Sequence, residues 1–129
     1  IVQKYYLYRT FNFLRMKKIY HLGTCSTNIR ILKGLNLDGI ELHDIKKATI
    51  TPEQVDEMKA LAGSYEALFS KKAMKYRSMG LNEMKLTEED YKNYIVEEYT
   101  FLKRPVAIIN NTIFIGNSKA VVDSLTEEL

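Results

Sequence analysis

Tyr20-His21-Leu22-Gly23-Thr24-Cys25-Ser26-Thr27-Asn28-Ile29-Arg30 places the only cysteine of the chain between an apolar run and a helical pattern. Lys18 to Leu22 suits a short buried strand, and Ile29, Leu32 and Leu35 recur at helical spacing after polar cap residues. Cys25 is therefore expected to join a strand to the start of a helix. A helix N-terminus presents unpaired backbone N–H groups and the positive end of the helix dipole, which favour thiolate over thiol. Gly23, Thr24, Ser26 and Thr27 are loop and capping residues, so the sulfur is expected in polar, reachable surroundings, with Thr24 and Ser26 as substrate-binding candidates. The competing reading is an inert cysteine serving as a small buried hydrophobe.

The rest of the chain bounds that site. At 129 residues and 46% hydrophobic content it fits one domain with a real core. One cysteine excludes an intramolecular disulfide framework and a cysteine-rich zinc site, and is usual for a reduced, cytoplasmic protein. No metal is expected. The formal net charge of +3 resides in residues 1–15, which hold Lys4, Arg9 and Arg15 and no acid. The remainder is formally neutral, which argues against direct nucleic-acid binding.

Residues 1–15 begin with Ile, are rich in tyrosine and phenylalanine, and precede Met16. They are read as a non-native or upstream leader, with a targeting peptide or membrane-surface helix as the alternative. Their apolar stretches are too broken for a secretory core or a membrane span. Residues 16–129 are expected to form a single domain.

Along that domain, Asn36 to Gly39 ends the first helix and Ile40 to His43 alternates as a second strand, so strand, helix and strand form a parallel pair with a helical crossover. Thr51-Pro52-Glu53-Gln54 is a capping box with proline at the first helical position. Val55, Met58 and Leu61 are expected as its buried stripe. Further helical stretches carry Tyr65, Leu68 and Phe69, then Met74, Tyr76 and Met79, then Tyr91, Tyr94, Ile95 and Val96 after the cap at Thr87. These Met and Tyr stripes are assigned to the core. Val106–Ile109 and Thr112–Ile115 read as a hairpin whose Asn110-Asn111 link tolerates the positive φ of a type I′ turn. A last helix, capped by Asn117 or Ser118, buries Val121, Val122 and Leu125.

The resulting order, β-α-β, helices, β-β-α, is an α/β, thioredoxin-like arrangement with a helical insertion and a mixed four-stranded sheet. Arg104-Pro105 stands directly before the third strand. In such folds a cis proline at this point lies opposite the active cysteine, where its fixed φ and missing N–H shape the substrate groove.

Tyr20-His21 followed by Cys25, Leu68-Phe69-Ser70-Lys71-Lys72 leading to Tyr76 and Gly80-Leu81, and Lys103-Arg104-Pro105-Val106 together resemble the ArsC family over residues 16–125. That family includes glutaredoxin-coupled arsenate reductases, YffB-like proteins and Spx-like transcription regulators. The resemblance implies that Cys25 is the attacking sulfur, that His21 supports its thiolate, and that Arg104 holds an oxyanion beside Pro105. A guanidinium is also by its own chemistry a suitable fork for arsenate, phosphate or a glutathione carboxylate. The reductases resemble a clamp of three arginines, whereas this chain has Ser70 with Lys71 and Lys72, and then Gly116-Asn117-Ser118-Lys119. Lys71 and Lys72 supply charge for substrate binding without a bidentate fork. The Spx-like Cys-x-x-Cys switch is absent, since Asn28 takes the second position.

Two functions follow as expectations. One is a monothiol oxidoreductase that holds no bound cofactor and is regenerated by external glutathione or glutaredoxin. The other is a regulatory module that contacts RNA polymerase without turnover. Neither involves a membrane.

Overall fold

The end of the first strand fixes where the cysteine loop must go. In the computed structural model, which describes residues 16–129, β1 (Lys17–His21) runs parallel to β2 (Glu41–Asp44), with His21 opposite Asp44. The crossover between them is α1 (Ser26–Lys33). β1 also pairs antiparallel with β3 (Val106–Ile109), and β3 with β4 (Thr112–Ile115), giving the order β2-β1-β3-β4. The expected mixed four-stranded sheet is thus present. The leader reading for residues 1–15 lies outside the described residues.

Period-two alternation splits the core between two faces. Tyr20, Val106 and Ile108 join Val55 and Met58 of α2 (Pro52–Ala62) and Tyr91 and Ile95 of α4 (Glu88–Glu97). Ile19, Ala107 and Ile109 face the other way, toward Leu125 of α5 (Lys119–Glu128) and the half-buried Leu32 of α1. Every residue of β3 is buried because helices cover both of its faces. The capping box at Thr51 is formed, with Gln54 N donating to Thr51 Oγ1 at 3.1 Å and Thr51 N donating to Gln54 Oε1 at 3.0 Å. Thr87 and Asp90 form a second box, and Ser118 caps α5 by accepting from Val121 N at 3.2 Å.

Three local expectations are corrected. The Tyr65 to Phe69 stretch makes only a 3-10 turn at Glu66–Leu68, because Phe69 bridges to Leu102 instead. Ser70 N donates to Phe101 O at 2.7 Å and Lys103 N to Leu68 O at 2.8 Å, so long-range pairing outcompetes a helix too short to repay its nucleation. The methionines are not a core stripe: Met58 is fully buried, but Met74 is 90% exposed and Met79 is 50% exposed. The helix there, α3 (Met74–Ser78), is five residues long and turns Tyr76 inward against Phe69. Finally, Asn110 (φ 56°) is the non-glycine residue with positive φ among those described, so the hairpin turn lacks the second left-handed residue of type I′.

Candidate active site

β1 ends at His21, and residues 22–25 turn the chain into α1 at Ser26. Cys25 is the N-cap residue of that helix, extended at φ −86° and ψ 117°. Its N–H donates to Leu22 O at 3.0 Å, and its carbonyl accepts from Ile29 N at 3.0 Å. The side chain is half-buried, free of any disulfide, and packed against the cluster that holds Tyr20 and Leu22. It makes no capping hydrogen bond, so the amides that a Ser or Thr cap would satisfy are left for a ligand or solvent. Thr24 and Ser26, on either side, are exposed.

The sheet register brings Arg104 and Pro105 to the same end. Tyr20 pairs with Val106, so the chain leaving β1 through His21 and Leu22 runs beside the chain entering β3 through Arg104 and Pro105. The Arg104–Pro105 peptide is cis, Pro105 is buried, and its carbonyl accepts from Gly116 N at 2.8 Å. Arg104 Nη1 donates to Thr100 O and Leu102 O, both at 3.3 Å. Its Nε is buried without a protein partner, and among the described residues no carboxylate pairs with the guanidinium. The carbonyls therefore orient the guanidinium, and its buried Nε is left with an unmet donor.

His21 sits on the other side of the strand. By alternation it shares the face of Ile19, whereas Cys25 packs on the face of Tyr20. Among the described residues no hydrogen bond joins its ring to the Cys25 sulfur. Burial lowers the His21 pKa; the Asp44 carboxylate opposes this, and His43 and Lys47 reinforce it. The ring is therefore favoured in its neutral form at neutral pH, and can act through hydrogen bonding rather than as a fixed cation.

The bridge between Phe69 and Leu102 carries Ser70, Lys71 and Lys72 toward the strand that leads to Arg104. Lys71 is already engaged, with Nζ 2.9 Å from Glu66 Oε2. That bond raises the Lys71 pKa, and with the Tyr91 hydroxyl it lowers that of Glu66. Lys72 is exposed and has no ion pair among the described residues. Arg30 is exposed on α1. Among the described residues no group of His, Cys, Asp and Glu could hold a metal ion.

Two residues of this end of the fold escaped sequence reasoning. Asn28 is 1% exposed and accepts from Leu22 N through Oδ1 at 2.9 Å. Asp44, at the end of β2, lies against Gly23. A polar residue on the inner side of an apolar helix was the only signal for the first. Nothing local signals the second, whose contact spans the parallel strand pair.

The model of the ArsC family matches residues 20–125. The chain belongs to the ArsC family. An arsenate reductase from Vibrio cholerae has the same fold at a TM-score of 0.70 and 18% identity, covering 88% of this chain and 99% of that one. A Staphylococcus aureus COL protein solved in solution superposes at 0.68 with 24% identity, over 84% of this chain and 97% of its own. An arsenate reductase (ArsC) related protein from Brucella melitensis does so at 0.65 with 19% identity, over 84% and 92%. No curated protein matches this ArsC-family chain in sequence.

Proposed function

We propose that this ArsC-family domain is a monothiol oxidoreductase in which Cys25 is the nucleophile. The observation that carries the reading is what the register of β1 and β3 brings to one end of the sheet: a free cysteine at the N-cap of α1 and a guanidinium held only by carbonyls. With a mixed disulfide of glutathione and another thiol, the Cys25 thiolate attacks the glutathione sulfur, a new S–S bond forms, and the other thiolate leaves. The chain has no second cysteine to resolve the adduct. A second glutathione thiolate, or that of glutaredoxin, must therefore attack the glutathione sulfur and return Cys25 as thiolate.

An oxyanion fits the same scheme. Attack on arsenate forms an S–As bond with loss of water; an external thiolate then attacks Cys25 sulfur, and the bonding pair leaves on arsenic as As(III). A further thiol reduces the resulting mixed disulfide. Arg104 binds the anion, with Lys72 adding charge from the neighbouring loop. Because lysine cannot replace a guanidinium fork, a single-arginine site favours a glutathione carboxylate over a fully clamped arsenate.

The experiment is turnover with glutathione and glutaredoxin on arsenate and on a glutathione mixed disulfide, for wild type and Cys25→Ser. Activity on the disulfide substrate that is lost in Cys25→Ser is expected. The alternative, a non-catalytic module contacting RNA polymerase, draws support from the exposed Met74, Met79 and Met84. It would be favoured by recovery of RNA polymerase with wild type and Cys25→Ser alike, together with no turnover.

A further inference from the structure

The loop between β1 and α1 is tied down from two directions. On the inner side, Leu22 N–H donates to Oδ1 of the buried Asn28 at 2.9 Å. On the outer side, the Asp44 carboxylate accepts from Lys46 N–H at 3.0 Å and lies directly against Gly23. A Cβ built on Gly23 would lie 2.2 Å from Asp44 Oδ2, so only glycine allows this approach. The backbone that carries the Asp44 side chain is itself fixed. Its carbonyl accepts from Lys47 N at 3.1 Å and Ala48 N at 3.0 Å, and the next residue, Ile45, donates to His21 O at 2.9 Å.

We propose that Asn28 and Asp44 are positioning residues which clamp the peptide on both sides of the Leu22–Gly23 bond and so hold Cys25 at the N-terminus of α1. This rests on the oxidoreductase reading above. The physical reason is that stabilisation of a thiolate by a helix N-terminus falls off within a turn, so small displacements of the sulfur matter. Asn28 thus stands as a structural brace where a Cys-x-x-Cys pattern would have its second cysteine. Asp44 acts at a distance, through Gly23, and faces His21 from β1 and Lys46 and Lys47 from its own turn.

The test is the rate of Cys25 alkylation by iodoacetamide as a function of pH in the full chain. It is measured for wild type, Asn28→Ala, Asp44→Ala and Gly23→Ala, at a temperature where circular dichroism shows each folded. The clamp predicts a loss of about tenfold or more at pH 7 in each variant, with the pH profile displaced to higher pH. A residue that only stabilises the fold would lower Tm and leave that profile in place. Hydrogen exchange of the wild-type protein adds a check that needs no variant: the Leu22 amide should be protected, and exchange at free-loop rates contradicts the clamp. A reactive wild-type thiol with unchanged rates in all folded variants overturns the clamp alone. A wild-type thiol no more reactive than free cysteine overturns the underlying reading and the positioning role with it.

Discussion

Arg104 separates two contributions that usually travel together, charge and fork geometry. Its Nη1 is occupied by the Thr100 and Leu102 carbonyls, so the guanidinium is oriented before any ligand arrives. Arg104→Ala should lower kcat/KM for an anionic thiol substrate by about 10- to 100-fold, the worth of a charge-assisted hydrogen bond. Arg104→Lys should recover little of it, because an ammonium cannot bond both carbonyls and an anion in one plane. Steady-state kinetics on both variants check this. His21 and Asp44 make a second prediction, about acid. Burial, the largest influence on each, lowers His21 from 6.5 and works against Asp44; the Lys46 and Gly23 N–H groups and the His21 and Lys47 charges then outweigh it and hold Asp44 below 3.8. For both groups the unfolded chain binds the proton more readily. The contribution of these two groups to stability is therefore complete above pH 6.5, falls below that value as the unfolded chain takes up a proton on His21 before the folded one does, and falls again below 3.8 as the same happens at Asp44. Tm measured from pH 7 to 3 should show the first decline in wild type and lose it in His21→Gln.

Among the elements, the bridge from Phe69 to Leu102 does most to organise the insertion around the site. The Phe69 ring stacks on Phe101 with centroids 5.0 Å apart and meets Tyr91 at 4.9 Å. Phe69→Ala should cost about 3–5 kcal/mol in urea unfolding, by burial lost and cavity gained. It should also speed amide exchange at Ser70 and Lys103, whose bonds flank the bridge. That bridge was hidden from sequence reasoning. Leu68 and Phe69 are apolar neighbours that fit a helix or a strand equally, and their partner lies over thirty residues away. The caps at Thr51 and Thr87 were legible because both partners sit within four residues. The four strands were legible too, since alternation and turn residues are local signals. Met74 and Met79 misled because hydrophobic character says nothing about which side of a five-residue helix meets the core. In the candidate site, Cys25 could be placed from its own neighbours. The contact of Asp44 with Gly23 depends on the parallel register of two strands, which no short stretch encodes.

For the whole molecule, the distribution of charge decides how a substrate arrives. The excess of three positive charges belongs to residues 1–15, and residues 16–129 are balanced. Long-range steering of an anion should be weak, with binding left to Arg104 at contact distance. The rate of reaction with glutathione disulfide is expected to change by less than about threefold between about 20 and about 200 mM salt. Stopped-flow measurement checks this, and a steep fall with salt would contradict it. On the oxidoreductase reading a second thiol must come from outside, because one cysteine, at one end of the sheet, can form an adduct but cannot resolve it. Mass spectrometry of the protein after exposure to glutathione disulfide, then to glutaredoxin and glutathione, addresses this directly. The account predicts one glutathione on Cys25, gained faster than on a free cysteine peptide and removed by the second treatment. A Cys25 that stays unmodified, or that reacts no faster than the peptide, would contradict it.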